Sequence, residues 1–304
     1  MAAGDVLVIH PGALGDVLLT IPALRMLRAR HHDGRLVLAA QSHLGRLLVE
    51  LGEVDAASAF ESLGLDALFV ENGEPVSVPA VSRAARVVCW FGSRDPTFPR
   101  RLREVAPSAV VASSAGNGSR VVWEHVMSTI GADGEAVRAP VEVTSELRAA
   151  GSDVLREAGW NGRRRVMMVH AGAGGRDKRW PVEGFAEVVA QVARHHDLVV
   201  ALHEGPADRD AVAALAERID ALVLKQPTLP HLAGALCHVA ACLGNDSGVT
   251  HLAAAIGRPT VALFGAERLA WQPWARTTRV VVVEPGRLSH DVAAVTSALD
   301  EILG

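Results

Sequence analysis

A repeated rhythm constrains this chain more than any other feature. Short runs rich in Val, Ile and Leu alternate with longer amphipathic stretches, and the alternation starts again half-way along. Strands buried on both faces read as continuous apolar runs, and parallel neighbours need a crossover between them, usually a helix. In the first half the runs are Asp5 to Ile9, Arg35 to Ala40, Arg86 to Trp90 and Ala109 to Ala112. Between the first two, Val17, Leu18, Ile21, Leu24 and Leu27 stand at helical spacing, which predicts one helix from Asp16 to Arg30.

The second half opens with a strand at Arg165 to His170 and a helix at Pro181 to His195, with Pro181 suited to the first turn. Strands follow at Leu198 to His203, Ala221 to Leu224, Val239 to Gly244, Thr260 to Phe264 and Val280 to Val283. Helices are expected at Asp208 to Ile219, Leu229 to Ala235 and Thr250 to Ile256, with a closing helix at Asp291 to Ile302. Such alternation predicts the α/β class with parallel sheets. A chain of 304 residues suits two domains. The join is placed between Val143 and Gly162, where Thr144-Ser145-Glu146 opens a helix. The division read from this is 1–150, 151–288, and a closing helix over 289–304. Open parallel sheets bind ligands at the carboxyl ends of their strands, so two facing halves would enclose a central cleft there.

Composition narrows the function. Apolar residues make up 49% and charged ones 21%, so large cores can form. A formal net charge of -4 argues against general nucleic-acid or membrane-surface binding, which leaves a local basic patch and peripheral membrane contact as the expectations. The three cysteines, Cys89, Cys237 and Cys242, form no CxxC pair, so they read as buried thiols rather than a disulfide or zinc framework. The first residues lack a basic segment followed by a long apolar core, and no apolar run reaches spanning length. A cytoplasmic protein without a transmembrane segment is expected.

Four segments carry candidate chemistry. In the first, His10-Pro-Gly-Ala-Leu-Gly-Asp16, a strand leads through glycines to an acid at a helix start. Gly12 and Gly15 let the backbone turn and approach a ligand closely. Asp16 can take a proton from a sugar hydroxyl, or it can simply cap the helix. A helix N-terminus favours negative charge, so a base placed there works by position more than by strength. In the second, His170-Ala-Gly172-Ala-Gly174-Gly175-Arg-Asp-Lys178-Arg179-Trp180-Pro181, glycines can offer amides to phosphate oxygens. Lys178 can stabilise charge on a leaving diphosphate, or stand as a solvated loop lysine.

The third segment, Gly244-Asn245-Asp246-Ser247-Gly248-Val249-Thr250-His251, opens an alanine-rich helix whose first amides are a ready anion site. Ser247, Gly248, Val249 and Thr250 could all turn amides to a pyrophosphate. Asp246 reads as fixing the loop or touching a sugar hydroxyl. His251 reads as donating a hydrogen bond to a phosphate oxygen or as a core histidine. In the fourth, His203-Glu204-Gly205-Pro206-Ala207-Asp208, either Glu204 or Asp208 could hold ribose hydroxyls, and Asp208 could equally cap a helix. Arg94, Arg100, Arg101 and Arg103 could grip an anionic acceptor or form a solvated face.

Together these segments resemble glycosyltransferase family 9, the bacterial heptosyltransferases. The resemblance rests on Gly15-Asp16 with Thr20 and Pro22, on Lys178-Arg179-Trp180-Pro181, and on Asp246-Ser247-Gly248 with His251 and Ala253-Ala254. It implies a GT-B fold of two Rossmann-like domains, with the closing helix packed back on the first. It also implies inverting transfer with no metal and no cofactor beyond the nucleotide-sugar substrate. The family donor is an ADP-heptose and the acceptor a lipopolysaccharide glycan. By position, Asp16 matches the general base, with Lys178 as the phosphate lysine. Asp246, Gly248 and His251 match the donor-binding loop, and the reading of the segments themselves adds Gly12, Gly15, Gly172, Gly174, Glu204, Ser247, Val249 and Thr250 to the donor side. Leu224 to Pro227, with Lys225, matches the adenine-reading segment, and Arg94 and Arg100 would meet the acceptor. Ala171 and Glu204 depart from the family pattern, which has proline and glycine there. Two other functions fit parts of the pattern: a nucleotide-sugar epimerase of similar fold, and a non-catalytic nucleotide-sugar-binding protein. A dinucleotide dehydrogenase does not fit, because no GxGxxG follows the first strand.

Overall fold

The apolar runs fold as parallel strands and the amphipathic stretches as helices between them. A computed structural model describes residues 4–71, 77–116, 118–132 and 137–304. The chain divides into two compact units, Met1–Arg138 and Ala139–Gly304.

The first unit runs β1 (Val6–Ile9), α1 (Leu14–Leu19), α2 (Ile21–Arg30), β2 (Leu36–Ala40), α3 (Ser42–Glu50), β3 (Ala56–Ala59), α4 (Pro79–Ser82), β4 (Arg86–Cys89), α5 (Thr97–Val105), β5 (Val110–Val111) and α6 (Val122–Thr129). Its five strands lie in the order β3-β2-β1-β4-β5, all parallel. The order turns outward both ways from β1, so the loop after β1, with Gly12 and Asp16, leaves from the switch point where such sheets bind ligands. Leu7, Ile9, Val37, Val87, Phe98 and Leu102 build the core on one face of this sheet.

Two expectations change here. The single helix from Asp16 to Arg30 is broken at Thr20. Pro22, at the start of α2, has no amide to continue the ladder, and Thr20 Oγ1 turns back to Val17 O at 2.7 Å. The strand β3 was not expected, because Ala56, Ala57, Ser58 and Ala59 form no apolar run at this sheet edge.

The second unit runs α7 (Ser145–Glu157), β6 (Arg165–His170), α8 (Val182–His195), β7 (Leu198–Glu204), α9 (Arg209–Ala216), β8 (Leu222–Lys225), α10 (Leu229–Leu236), β9 (Val239–Asn245), α11 (Gly248–Ala255), β10 (Thr260–Phe264), β11 (Thr278–Val282) and α12 (Leu288–Leu303). Its parallel sheet has the order β11-β10-β9-β6-β7-β8. The switch point lies between β9 and β6. Their carboxyl ends are in register, His170 beside Gly244. Two loops distant in sequence therefore emerge side by side.

The join falls earlier than the expected 150/151 division. Val141 N donates to Ala255 O at 2.8 Å, and Thr144 caps α7 through Leu147 N at 3.3 Å. Helix α7 then crosses α10 with glycine against glycine. A Cβ on Gly234 would lie 1.8 Å from Leu147 O, and one on Gly151 would lie 2.0 Å from Ala235 N. The closing helix α12, expected to return to the first half, sets Val292, Val295, Leu299 and Leu303 into the core of the second unit beside Phe185 and Val192. An apolar stripe must be buried, and this core takes it. Among the described residues no helix is long and apolar enough to cross a membrane.

Gly234→Ala should force α7 and α10 apart. We expect a loss of about 1–3 kcal/mol, even though alanine favours a helix by about 1 kcal/mol. Urea denaturation checks this, and an unchanged or raised midpoint would contradict the close crossing.

Candidate functional site

In the second unit the site is assembled by one buried amide. Asn245, the last residue of β9, is fully buried. Its Nδ2 donates to Ala171 O at 2.8 Å, and its Oδ1 accepts from Trp180 N at 3.0 Å. Its carbonyl accepts from Thr250 Oγ1 at 2.7 Å. Asn245 thus fastens both ends of the loop after β6 to the turn that opens α11. Buried polar groups are hydrogen-bonded, and here the bonds also set loop position.

The turn itself is capped. Ser247 Oγ accepts from Thr250 N at 3.3 Å and lies 3.0 Å from Thr250 Oγ1. Four free amides were expected at this helix start, but that of Thr250 is engaged by its cap. The amides of Gly248 and Val249 find no protein acceptor among the described residues. They keep the anion-binding potential of a helix N-terminus.

Asp246 is the electrostatic centre. Its Oδ2 accepts from Arg268 Nε at 2.5 Å and lies 3.2 Å from Lys178 Nζ. His251 Nε2 stands 3.9 Å from Oδ1. Burial by itself would push this carboxyl up, but His251, Arg268 and Lys178 together hold it well below the usual carboxylate range. Lys178 is therefore not a solvated loop lysine. His251 is buried, but against a carboxylate rather than in an apolar core. A cavity of about 410 Å³ opens beside these groups, lined by Lys178, Trp180, Asp246, Arg268, Glu284 and others. A second cavity of about 500 Å³, near Trp160, Arg194 and Ile219, reaches Leu198 and Leu222 at the amino ends of β7 and β8. That is the end of a parallel sheet away from its ligand loops.

A buried cluster lies under the loop after β6. His170 Nδ1 and His203 Nδ1 are 3.1 Å apart, one donating to the other. Asp208 Oδ2 is 3.9 Å from His170 Nε2, and Asp208 Oδ1 is 4.0 Å from Arg179. Asp208 stands at the start of α9 but makes no side-chain cap bond, and its carboxylate faces His170 and Arg179 instead. A Cβ at residue 172 would lie 2.0 Å from Asp208 Oδ1. Gly172 thus leaves room for this carboxylate, whereas Gly174 is open to space. One ligand atom from each of His170, His203 and Asp208 lies within 4.8 Å of the others.

In the first unit, Asp16 Oδ2 accepts from Ala13 N at 3.3 Å at the start of α1, so the capping role is real. Asp16 is only partly buried. Gly15 lies inside α1 rather than in a turn. The buried His10 accepts from Gly12 N at 3.1 Å, and Gln41 holds Pro11 O and Gly12 O at 3.2 and 3.1 Å. A Cβ on Gly12 would meet His10 at 2.4 Å, so this glycine is required by packing as well as by the turn. Arg100 pairs with Glu104 at 2.8 Å on the exposed face of α5, and Arg94 is exposed. Cys89 and Cys242 are buried thiols pushed up to about 12, and half-buried Cys237 is raised by the same desolvation.

A family model described as glycosyltransferase family 9 (heptosyltransferase) matches residues 120–298, more than half of the chain. The chain belongs to that family. It is 26% identical to lipopolysaccharide heptosyltransferase 1 of Pseudomonas aeruginosa, over 86% of this chain and 78% of that one. It is 34% identical to lipopolysaccharide heptosyltransferase 3 of Escherichia coli over 32% of this chain. That match spans about a third of the relative's length, 31%. Among solved structures, E. coli ADP-heptose LPS heptosyltransferase II is similar with a TM-score of 0.75 at 19% identity, covering 98% of both chains. A family 9 glycosyltransferase from Veillonella parvula gives 0.77 at 19% identity, over 98% of this chain and 97% of that one. These likenesses are of fold, and the fold is GT-B with two Rossmann-like units.

Within the family 9 chain, then, Lys178, Asp246, Ser247, Gly248, Val249 and His251 come together. Glu204 and Lys225 sit apart from that cluster, paired in register at the ends of β7 and β8. Glu204 O accepts from Gln226 N at 2.8 Å, and among the described residues Asp246 is paired with Lys178, His251 and Arg268 and not with Lys225. Sequence reasoning missed Arg268, which lies in the loop after β10 and carries no local signal. It also missed Asn245, whose signal was a polar residue closing an apolar run.

Burial pushes His170 down to about 4 and His203 to about 3. Between the ordinary value of 6.5 and about 4, the unfolded chain binds protons that the folded unit refuses. Stability therefore falls as pH drops through that window. His203→Gln should flatten the limb of melting temperature against pH there, and equal slopes for variant and wild type would contradict the assignment.

Proposed function

We propose that the chain is an inverting glycosyltransferase that moves a sugar, a heptose, from an ADP-linked donor to a hydroxyl of a lipopolysaccharide-type glycan. The observation that carries this reading is the convergence of Lys178 and the unengaged Gly248 and Val249 amides beside Asp246. A cation and a helix N-terminus suit a diphosphate. Membership of a heptosyltransferase family supports the transfer chemistry. A similar solved structure, E. coli heptosyltransferase WaaC, holds ADP, with a TM-score of 0.67 at 16% identity over 98% of this chain and 99% of that one. This supports adenosine diphosphate as the leaving group.

In this reading the acceptor hydroxyl attacks the anomeric carbon while the bond to the diphosphate breaks. The bond's electron pair leaves with the diphosphate, through a transition state with oxocarbenium character. Asp16 takes the hydroxyl proton. Because Asp16 also caps α1, its geometry is held by the fold, and catalysis rests on its position. Lys178 and the α11 amides stabilise the departing charge. Glu204 and Lys225 are assigned to the nucleoside, Asp246 and His251 to the sugar and phosphates, and Arg94 and Arg100 to the acceptor. No metal or further cofactor takes part. The reaction runs in the cytoplasm, with peripheral membrane contact where the acceptor is membrane-borne.

Two outcomes test the proposal. A ligand bound only by the native state stabilises it by about 2.7 kcal/mol at a hundred times its Kd. ADP should raise the melting temperature more than UDP, GDP or NAD, and equal or absent shifts would remove the donor assignment. Asp16→Asn should abolish transfer, by at least roughly a hundredfold, while ADP still shifts the melt. Donor conversion without acceptor would instead indicate an epimerase.

A further inference from the structure

Arg268 belongs to none of the segments that carry the family resemblance. It lies in the loop after β10, near Lys178 only because the sheet sets the β10 and β9 ends side by side. Lys178 and Arg268 both bind one oxygen, Asp246 Oδ2. One buried carboxylate thus holds two cations, and the trio carries a surplus positive charge. Four other carboxylates line the cavity, Asp177, Glu267, Glu284 and Asp291, and none of them is bonded to Lys178 or Arg268 among the described residues. Glu284 is paired with Arg287 at 3.1 Å, and Asp291 accepts from Glu284 N at 3.1 Å. The side chains of Glu267 and Asp177 lie back against Gly265 and Gly175.

The guanidinium is also held in a set orientation. Its Nε is fixed by Asp246, and its carbon lies 5.0 Å over the ring of Trp271. Nη1 and Nη2 find no protein acceptor among the described residues, and the side chain remains 26% exposed beside the cavity. An arginine with one nitrogen anchored, its face stacked and its fork open matches a phosphate group, which takes two parallel N–H bonds. For stability alone one cation per carboxylate is enough, and Lys178 already supplies it.

We propose that Arg268 is a phosphate-binding residue of the donor site. It grips the diphosphate together with Lys178 and shares the charge that the leaving group acquires as the anomeric C–O bond breaks. The inference rests on reading this site as a nucleotide-sugar site, and it adds a residue specific to the loop after β10. Asp246 then has a second duty: it holds both cations in place before the donor arrives.

The test is calorimetric binding of ADP and of adenosine to wild type, Lys178→Gln, Arg268→Gln and Arg268→Lys, with melting temperature measured on each. A charge-assisted hydrogen bond contributes about 1.5–3 kcal/mol, so Arg268→Gln should weaken ADP binding roughly tenfold or more. Adenosine binding should not change, because adenosine has no phosphate to lose. Arg268→Lys should recover part of the loss. If Arg268→Gln does not fold, Asp246→Asn is compared with Asp246→Asn/Arg268→Gln, where the arginine no longer balances a buried charge. A further loss of ADP affinity in the double variant supports the proposal, and equal affinities overturn it. Unchanged ADP binding in Arg268→Gln, with loss in Lys178→Gln, would reduce Arg268 to a structural partner of Asp246. Failure of the wild type to bind any nucleoside diphosphate would instead overturn the reading of the whole site.

Discussion

The second unit depends on one hydrogen-bonded amide at the centre of its sheet. Asn245 closes β9 beside the end of β6 and reaches the loop on both sides of its glycines, at Ala171 and at Trp180. A parallel sheet that winds outward both ways from β9 and β6 leaves a crevice at that point. A fully buried side chain can bridge such a crevice only if its donors and acceptors are met, and those of Asn245 are. The glycine-rich loop is therefore positioned by an internal bond rather than by its own conformational preference.

The same arrangement makes the electrostatics of the site. Asp246 follows Asn245 directly and is carried into a place where water contributes little. A carboxylate there must be paired, and the loop after β6 supplies Lys178 while the loop after β10 supplies Arg268. Charge is thereby concentrated near amides of the α11 turn, those of Gly248 and Val249 among them, that remain without protein partners among the described residues. Beneath this layer, the neutral His170–His203 pair and Asp208 pack against Gly172 and support the loop from below. In the first unit the order is comparable: His10 and Gln41 fix the turn, and the turn presents Asp16.

Much of this was legible in the sequence because parallel strands bury both faces, so Val6–Ile9, Arg165–His170 and Thr260–Phe264 stand out as unbroken apolar runs. Edge strands carry a weaker pattern, and β3, built from alanines and a serine, was invisible for that reason. The break at Thr20 was signalled by Pro22, but helical spacing on both sides concealed it. Helix amphipathicity shows that a face is buried without showing in which core. That is why α12 and the start of the second unit were misplaced.

The sequence by itself determined the class, the strands that form apolar runs, the helix start after β9 and the residue types a diphosphate site requires, since these follow from local periodicity and side-chain chemistry. Only the tertiary structure decided which charges meet. Lys178, Asp246 and Arg268 converge through the order β10-β9-β6, and His170 meets Asp208 through the pairing of β6 with β7 and the α9 start. Strand order is set by packing over the whole sheet, and no spacing along the chain encodes it. It also decided that Thr250 gives its amide to Ser247, a competition between cap and ligand that is resolved only in three dimensions.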